Sequence, residues 1–258
     1  MTKSLARLLY IYTAFSLFLP ACSTPEPSQP SAPSEPTYVE PERAPEALTS
    51  GLGVDISHHQ DTVDWPALAA AADFAFIKAS GGLDYTDPMF PDNWRASAKA
   101  DILRGAYHFY YTNDDPIAQA KWFLSHLSSD DWGDLPPVLD IESHSLKNDL
   151  KPEALDDQIL KWLRRVEAVT GHRPIIYTGA NFAAEYLTDT LLQRYPLWLA
   201  QYEVDTPNVP SIWAESGWTF WQFSSNDSLP GVKTAVDHSR YQASPTLTLT
   251  KAASTATR

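Results

Sequence analysis

The chain has 258 residues, 43% of them hydrophobic and 12% aromatic, enough for one sizeable core and too few for two large domains. Its formal charge of −13 at neutral pH excludes the basic surface that a nucleic-acid partner needs. One cysteine, Cys22, excludes a disulfide framework.

At the start of the chain, Lys3 and Arg7 precede the apolar run LLYIYTAFSLFL. Its length is too short to span a bilayer and suits the hydrophobic region of a signal peptide over residues 1–21. The LPAC that ends at Cys22 resembles the lipobox of bacterial lipoproteins. That resemblance implies cleavage before Cys22 and lipid attachment to it, giving a mature chain of −13 − 2 = −15, since Lys3 and Arg7 are lost and no acid is. Ser23, standing where an aspartate commonly means inner-membrane retention, implies an anchor in the outer membrane facing the periplasm. Residues 23–50 hold seven prolines and five glutamates with scattered apolar residues, a composition that builds no core. Together with Cys22 they read as a lipid-anchored linker over 22–50, which proline keeps extended at about 3.1 Å per residue, for a reach of at most roughly 90 Å. Residues 245–258 read as a polar C-terminal tail.

Between these ends, over 51–244, short apolar runs alternate with amphipathic ones. GLGVDIS, DFAFIKA, ILRGAYHFYY, PPVLDIE, RPIIYT, YPLWLAQY, GWTFWQFSS and TAVDHSRY predict strands. The spacing predicts helices near 65–72, 92–100, 115–127, 152–169 and 180–193. Strand followed by helix, repeated, predicts parallel strands with right-handed crossovers. Eight strands with five or six helices in this length fit an incomplete (β/α)8 barrel of the α/β class. A doubly wound sheet is the alternative, but no GxGxxG turn follows the first strand.

Within VLDIE, strand periodicity sends Asp140 and Glu142 out of one face, roughly 6–7 Å apart, with Ile141 turned away. Like charges held that close disfavour joint ionisation, so one carboxyl stays protonated to higher pH than usual. A strand end running into solvent remains the alternative for this stretch alone. Polar residues at the C-terminal ends of barrel strands line the active-site face, and Asp55, Asp140, Glu142 and Asp237 all sit at such ends. Four acids so placed predict a shared carboxylate pocket. Aromatic rings in or beside the strands, Tyr107, Tyr177, Trp198 and Tyr202 among them, suit stacking on sugar faces, and Gln222 is expected to bind substrate with them. Trp122 and Trp162, on helices, are expected to pack.

In this order, GVDISHHQDTVDW, FAFIKAS, YTDPMF, GAYHFYY, PPVLDIE, PIIYTG, PLWLAQY, WTFWQFSS, PGV and VDHSRY resemble family 25 glycoside hydrolases, the lysozyme-type N-acetylmuramidases. The resemblance covers about 52–241. It implies an incomplete (β/α) barrel that cuts the β-1,4 bond between N-acetylmuramic acid and N-acetylglucosamine in peptidoglycan. The family's acidic quartet falls on Asp55, Asp140, Glu142 and Asp237, with Glu142 as general acid. Asp140 is then placed as in glycosidases whose substrate's own acetamido oxygen attacks; a direct nucleophile and an inverting water stay open. The sequence departs from the family pattern at Gly81 and Gly82, where an acid often precedes glycine, and at Ser239 and Tyr241, where asparagine and phenylalanine are frequent. A monomer with no cofactor and no metal is expected.

Other chemistries compete with this reading. SHHQD places His58 and His59 beside Asp55 and Asp61, as a metal-dependent peptidoglycan deacetylase would, although adjacent strand residues point to opposite faces. No G-x-S-x-G elbow supports a serine hydrolase, and His108 reads as a hydrogen-bonded strand residue rather than a base. An inactive peptidoglycan-binding anchor would need the cleft and the linker but not the four acids.

Overall fold

The computed structural model describes residues 46–251. The predicted signal peptide, Cys22, most of the 22–50 segment and the end of the tail lie outside them. In chain order the elements begin β1 (Glu46–Leu48), β2 (Ser50–Ile56), α1 (Trp65–Ala69), β3 (Phe74–Gly81), β4 (Tyr85–Thr86), α2 (Phe90–Lys99) and β5 (Leu103–Phe109). They continue with α3 (Pro116–Leu124), β6 (Val138–Asp140), α4 (Pro152–Thr170), β7 (Ile175–Gly179), α5 (Ala180–Tyr186) and β8 (Leu197–Ala200). The last are β9 (Phe220–Asp227), β10 (Val236–Gln242) and β11 (Leu249–Lys251).

Local sequence sets the helix ends. Asp64 and Asp115 accept from the backbone N–H groups of Ala67 and Ala118, at 3.2 and 2.8 Å, and Pro66 and Pro116 follow in the first turns. Gly171, at φ 72°, closes α4 in the left-handed conformation that glycine adopts without strain. The helix predicted over 180–193 is interrupted. The Asp156 carboxylate on α4 accepts from the N–H groups of Thr188 and Asp189, at 3.1 and 2.8 Å, and this competing set of bonds ends α5 before a separate 3-10 turn at Thr190–Arg194.

β2, β3, β5, β6, β7, β8 and β9 run parallel, each beside the next, and β10 closes the ring between β9 and β2. The result is an eight-stranded α/β barrel. β10 departs from the expected parallel repeat, being antiparallel to both neighbours. Residues 228–235 are too few for the dozen or more that a parallel crossover takes, and Gly231, at φ 87°, turns the chain back.

Side chains alternate between two cores. Val54, Ile56, Ala75 and Ile77 face the helices, while Phe74, Phe76, Tyr107, Val138, Trp198, Phe220 and Tyr241 fill the barrel interior. Phe76 stacks on Trp198 at 4.4 Å between ring centroids and meets Phe220 edge-on at 5.1 Å. A Cβ at Gly53 would lie 2.4 Å from the Phe74 ring, so glycine there is what admits the ring.

β1 pairs with β11 antiparallel, so the ordered domain extends past the expected 51–244 at both ends. Leu48, Leu247 and Leu249 pack against the interior cluster, and the Leu249 N–H donates to the Tyr241 hydroxyl at 2.9 Å. Tyr241, one of the departures from the family pattern, thereby ties down the end of the domain. Ser239, the other departure on β10, accepts from the Trp198 indole at 3.0 Å. Both are core contacts.

Candidate active site

Above the aromatic plug, the interior positions turn polar. Asp55, Asp140, Glu142 and Asp237 line one cavity of about 300 Å³, with Lys78, Tyr107, Phe109, Tyr177, Trp198, Tyr202 and Ser225. The predicted quartet is therefore brought together from three chain segments. Asp237 reaches it from the N-terminal end of its strand, not the C-terminal end that was expected. Because β10 runs opposite to its neighbours, its beginning lies at the face where theirs end, and Asp237 is the register partner of Asp55.

Asp140 ends β6, and Glu142 lies just beyond the strand in extended backbone, φ −148° and ψ −176°. The alternation expected for the strand thus continues past its end: Ile141 is buried outward while both acids line the cavity. The Tyr110 N–H donates to the Asp140 carbonyl at 2.9 Å and the Ile141 N–H to that of Tyr177 at 3.0 Å. The Glu142 N–H donates to the Ser145 hydroxyl at 3.0 Å. Asp140 is the buried member of the pair, and its Oδ1 has no hydrogen-bond partner among the described residues. Glu142 is the open one, its side chain 33% exposed.

Gln222 is almost wholly buried and does not line the cavity. Expected to contact substrate, it joins side chains that line the cavity. Its amide donates to Asp55 Oδ2 at 2.8 Å, while its carbonyl oxygen accepts from the Tyr177 hydroxyl at 2.8 Å and from Tyr202.

Burial dominates the electrostatics. It holds Asp140 well above the ordinary carboxylate value, the charge of Glu142 adds to the effect, and Lys78 opposes it. Burial followed by the charge of Asp237 raises Asp55 in the same way, and burial raises Asp237. Buried phenols are raised as well, Tyr202 to about 12 and Tyr107 and Tyr177 strongly, so all three remain O–H donors at neutral pH.

Lys78 was not singled out from the sequence. It lies 5.0 Å from the Phe109 ring centroid and 5.6 Å from that of Tyr107, inside the carboxylate cavity. Its signal was a lysine in the middle of the apolar run FAFIKAS. Phe109 and Ser225 were also missed, as ordinary strand residues. Gly81 abuts the cavity wall, where an added Cβ would come within 3.3 Å of Phe109 Cβ.

Other candidates fall outside the cavity. His58 and His59 lie in a 3-10 turn with ring centroids 3.9 Å apart, so the opposite-face geometry expected of strand neighbours does not hold. His58 Nδ1 is 2.9 Å from Asp87 Oδ2. Among the described residues no group of three or more His, Cys, Asp or Glu side chains could hold a metal ion. His108 is buried between Ser80 at 2.9 Å and Gln119 at 3.3 Å, and burial lowers it to about 3, a neutral strut between β5, β3 and α3. Trp162 is fully buried, and Trp122 packs on α3, its indole donating to the Tyr85 carbonyl at 3.2 Å.

The sequence model of glycosyl hydrolases family 25 matches residues 54–232. Lysozyme M1 of Streptomyces globisporus is 35% identical over 221 residues, 81% of this chain and 74% of that protein. The N,O-diacetylmuramidase of Chalaropsis sp is 31% identical over 186 residues, 67% of this chain and 87% of that one. Among solved structures, the bacterial lysozyme from Streptomyces coelicolor superposes with a TM-score of 0.69 at 34% identity, covering 75% of this chain and 93% of its own. With the barrel and its carboxylate pocket, these matches make the chain a member of glycosyl hydrolases family 25, a glycoside hydrolase of the lysozyme type.

Proposed function

We propose that this enzyme cleaves the β-1,4 bond between N-acetylmuramic acid and N-acetylglucosamine in peptidoglycan, with Glu142 as proton donor and Asp140 assisting. The observation that carries the reading is the asymmetry of the pair: an open Glu142 beside a buried Asp140 whose Oδ1 has no partner among the described residues. Breaking the bond takes a proton to the leaving oxygen and electron density to the anomeric carbon. Glu142 gives its proton to the glycosidic oxygen, which leaves with the bonding pair. The acetamido oxygen of the muramic acid bonds to C1, and Asp140 accepts a hydrogen bond from the acetamido N–H. Water then opens the ring so formed, returning its proton to Glu142 and retaining the configuration at C1. Asp55 and Asp237 orient the sugar, with Tyr107, Tyr177, Trp198 and Tyr202 forming the walls around it.

Cys22 is the lipidated N-terminus in this reading, and the enzyme works from the outer membrane on the wall in the periplasm. The catalytic assignment is tested on the purified domain with isolated peptidoglycan. Glu142→Gln keeps the shape and removes the proton, so turnover should fall at least about 10²-fold with the fold retained. Near-normal turnover would overturn the role of Glu142, and an inverted first product would overturn the acetamido route.

A further inference from the structure

The connection from β8 to β9 carries no α-helix, only the 3-10 turn Ser211–Trp213. The alternation that sends Phe220 and Gln222 into the barrel sends Trp221 and Phe223 to this outer flank, where Arg240, the register partner of Trp221 on β10, joins them. With Glu203, Val204 and Asp205 of the connection they line a pocket of about 400 Å³. None of its residues lines the carboxylate cavity. Glu203, which turns the chain at φ 58°, also borders the open mouth of the cleft that Glu142 lines, so the pocket adjoins the rim of the active site from outside.

The charges select the ligand. The Arg240 guanidinium lies 4.5 Å from the Phe223 ring centroid and 5.1 Å from that of Trp221, held by two rings. No carboxylate pairs with it among the described residues, so its fork of N–H donors is open to a carboxylate of a ligand. Glu203 and Asp205, both exposed, offer acceptors for a cation across the same pocket. A phosphate or another purely anionic group would meet these two acids. A neutral sugar would find little ring face to stack on, since Trp221 is 3% exposed and Arg240 lies over Phe223. What fits is a short flexible chain that carries carboxylates and an ammonium together. We propose that this pocket binds the stem peptide of peptidoglycan, with Arg240 taking a carboxylate and Glu203 and Asp205 the free ammonium of the peptide's diamino acid. This rests on peptidoglycan being the substrate. Three extended residues span about 10 Å, and Glu203, common to the cleft mouth and the pocket, gives the peptide a continuous path from a muramic acid held in the cleft.

The site is tested apart from the chemistry by binding. The probe is the N-acetylated tripeptide L-alanyl-γ-D-glutamyl-meso-diaminopimelate, titrated into the purified domain by calorimetry. The parent should bind it saturably, Arg240→Gln about fivefold or more weakly, and Glu142→Gln as the parent does. Acetylating the free amine of the probe should weaken it for the parent but not for the double variant Glu203→Gln, Asp205→Asn. In cleavage, Arg240→Gln should lower kcat/KM on peptide-bearing strands through KM and leave strands stripped of peptide by an amidase unaffected. Absence of saturable binding by the parent, or equal losses on the two kinds of strand with the fold shown intact by thermal unfolding, would overturn the assignment. An oligomer of the parent that Arg240→Gln dissolves, with no tripeptide bound, would give the face to a second copy of the chain instead. Tripeptide bound without cleavage of either strand would strike the hydrolytic reading and leave the peptide site standing.

Discussion

Asp55 and Asp237 face each other as register partners across the antiparallel pair β2–β10, and both carboxyls are raised above the ordinary value. Two acids so placed share a proton more readily than they carry two charges. Gln222 breaks the symmetry. Its amide donates to Asp55 Oδ2, and its own orientation is fixed by the two phenols that donate to its carbonyl oxygen.

Gln222 is therefore a positioning residue, acting through Asp55, Tyr177 and Tyr202. Gln222→Glu replaces the N–H donor with a carboxyl that can donate only when protonated. Its pH–rate profile on peptidoglycan should move to the acid side of the parent's, with activity returning as pH falls. Gln222→Leu, which offers no donor at any pH, should lose activity without that recovery. An unshifted profile for Gln222→Glu would mean that the amide does not set the state of Asp55.

The raised carboxyls also predict how stability varies with pH. Asp55, Asp140 and Asp237 are held above their ordinary values chiefly by burial, so the folded domain binds their protons more tightly than the unfolded chain does. What they contribute is fully present below the unfolded carboxylate range and is lost as pH rises through the raised folded values. Asp140→Asn removes one of these buried charges without breaking a side-chain hydrogen bond at Oδ1, which has none among the described residues. At pH 7 it should raise Tm, by about 2–4 °C for each kcal/mol gained, while crippling cleavage. The gain should shrink toward zero as pH falls to about 4. Thermal unfolding of parent and variant across pH 4–8 measures it. A Tm difference that stays constant with pH would show that Asp140 does not titrate differently in the folded state.

Several of these features were legible before the fold was known, for identifiable reasons. VLDIE gave the Asp140–Glu142 pair because strand periodicity is local and extends past the strand's last residue. The parallel strands β2, β3 and β5 to β9 followed from strand–helix alternation. The antiparallel sense of β10 was present in the sequence as well, in a connection too short for a crossover, but TAVDHSRY taken alone carries no direction. Gln222, expected to contact substrate, lies buried behind the cavity wall, because the alternation that points it inward does not give its depth. Depth in a barrel depends on the stagger between strands, which no single segment contains. β1 and β11 escaped notice because three-residue strands at the edges of polar, proline-rich segments have neither the length nor the periodicity to register.

That terminal ribbon bears on the proposed anchor. β2 begins at Ser50 and delivers Asp55 to the cavity near its far end, so β1 lies toward the end of the barrel away from the cleft, held by β11 and by Leu48 and Leu249 beneath the interior cluster. Residues 23–45, if extended, would give a reach of roughly 70 Å. Acyl chains contribute about 0.8 kcal/mol per buried CH₂, so a lipoprotein's several chains make release from the bilayer negligible. Cys22→Ser should leave the membrane fraction and keep full activity on isolated peptidoglycan. Deleting residues 24–44, which spares β1, should do the reverse: membrane association and activity in detergent persist, while cleavage of the wall in intact cells falls. A deletion carried through residue 50 would also remove β1 and should lower Tm, which distinguishes loss of reach from loss of fold. If the Cys22→Ser protein still fractionates with membranes after a high-salt wash, the lipid anchor is wrong and residues 1–21 act as something other than a cleaved lipoprotein signal.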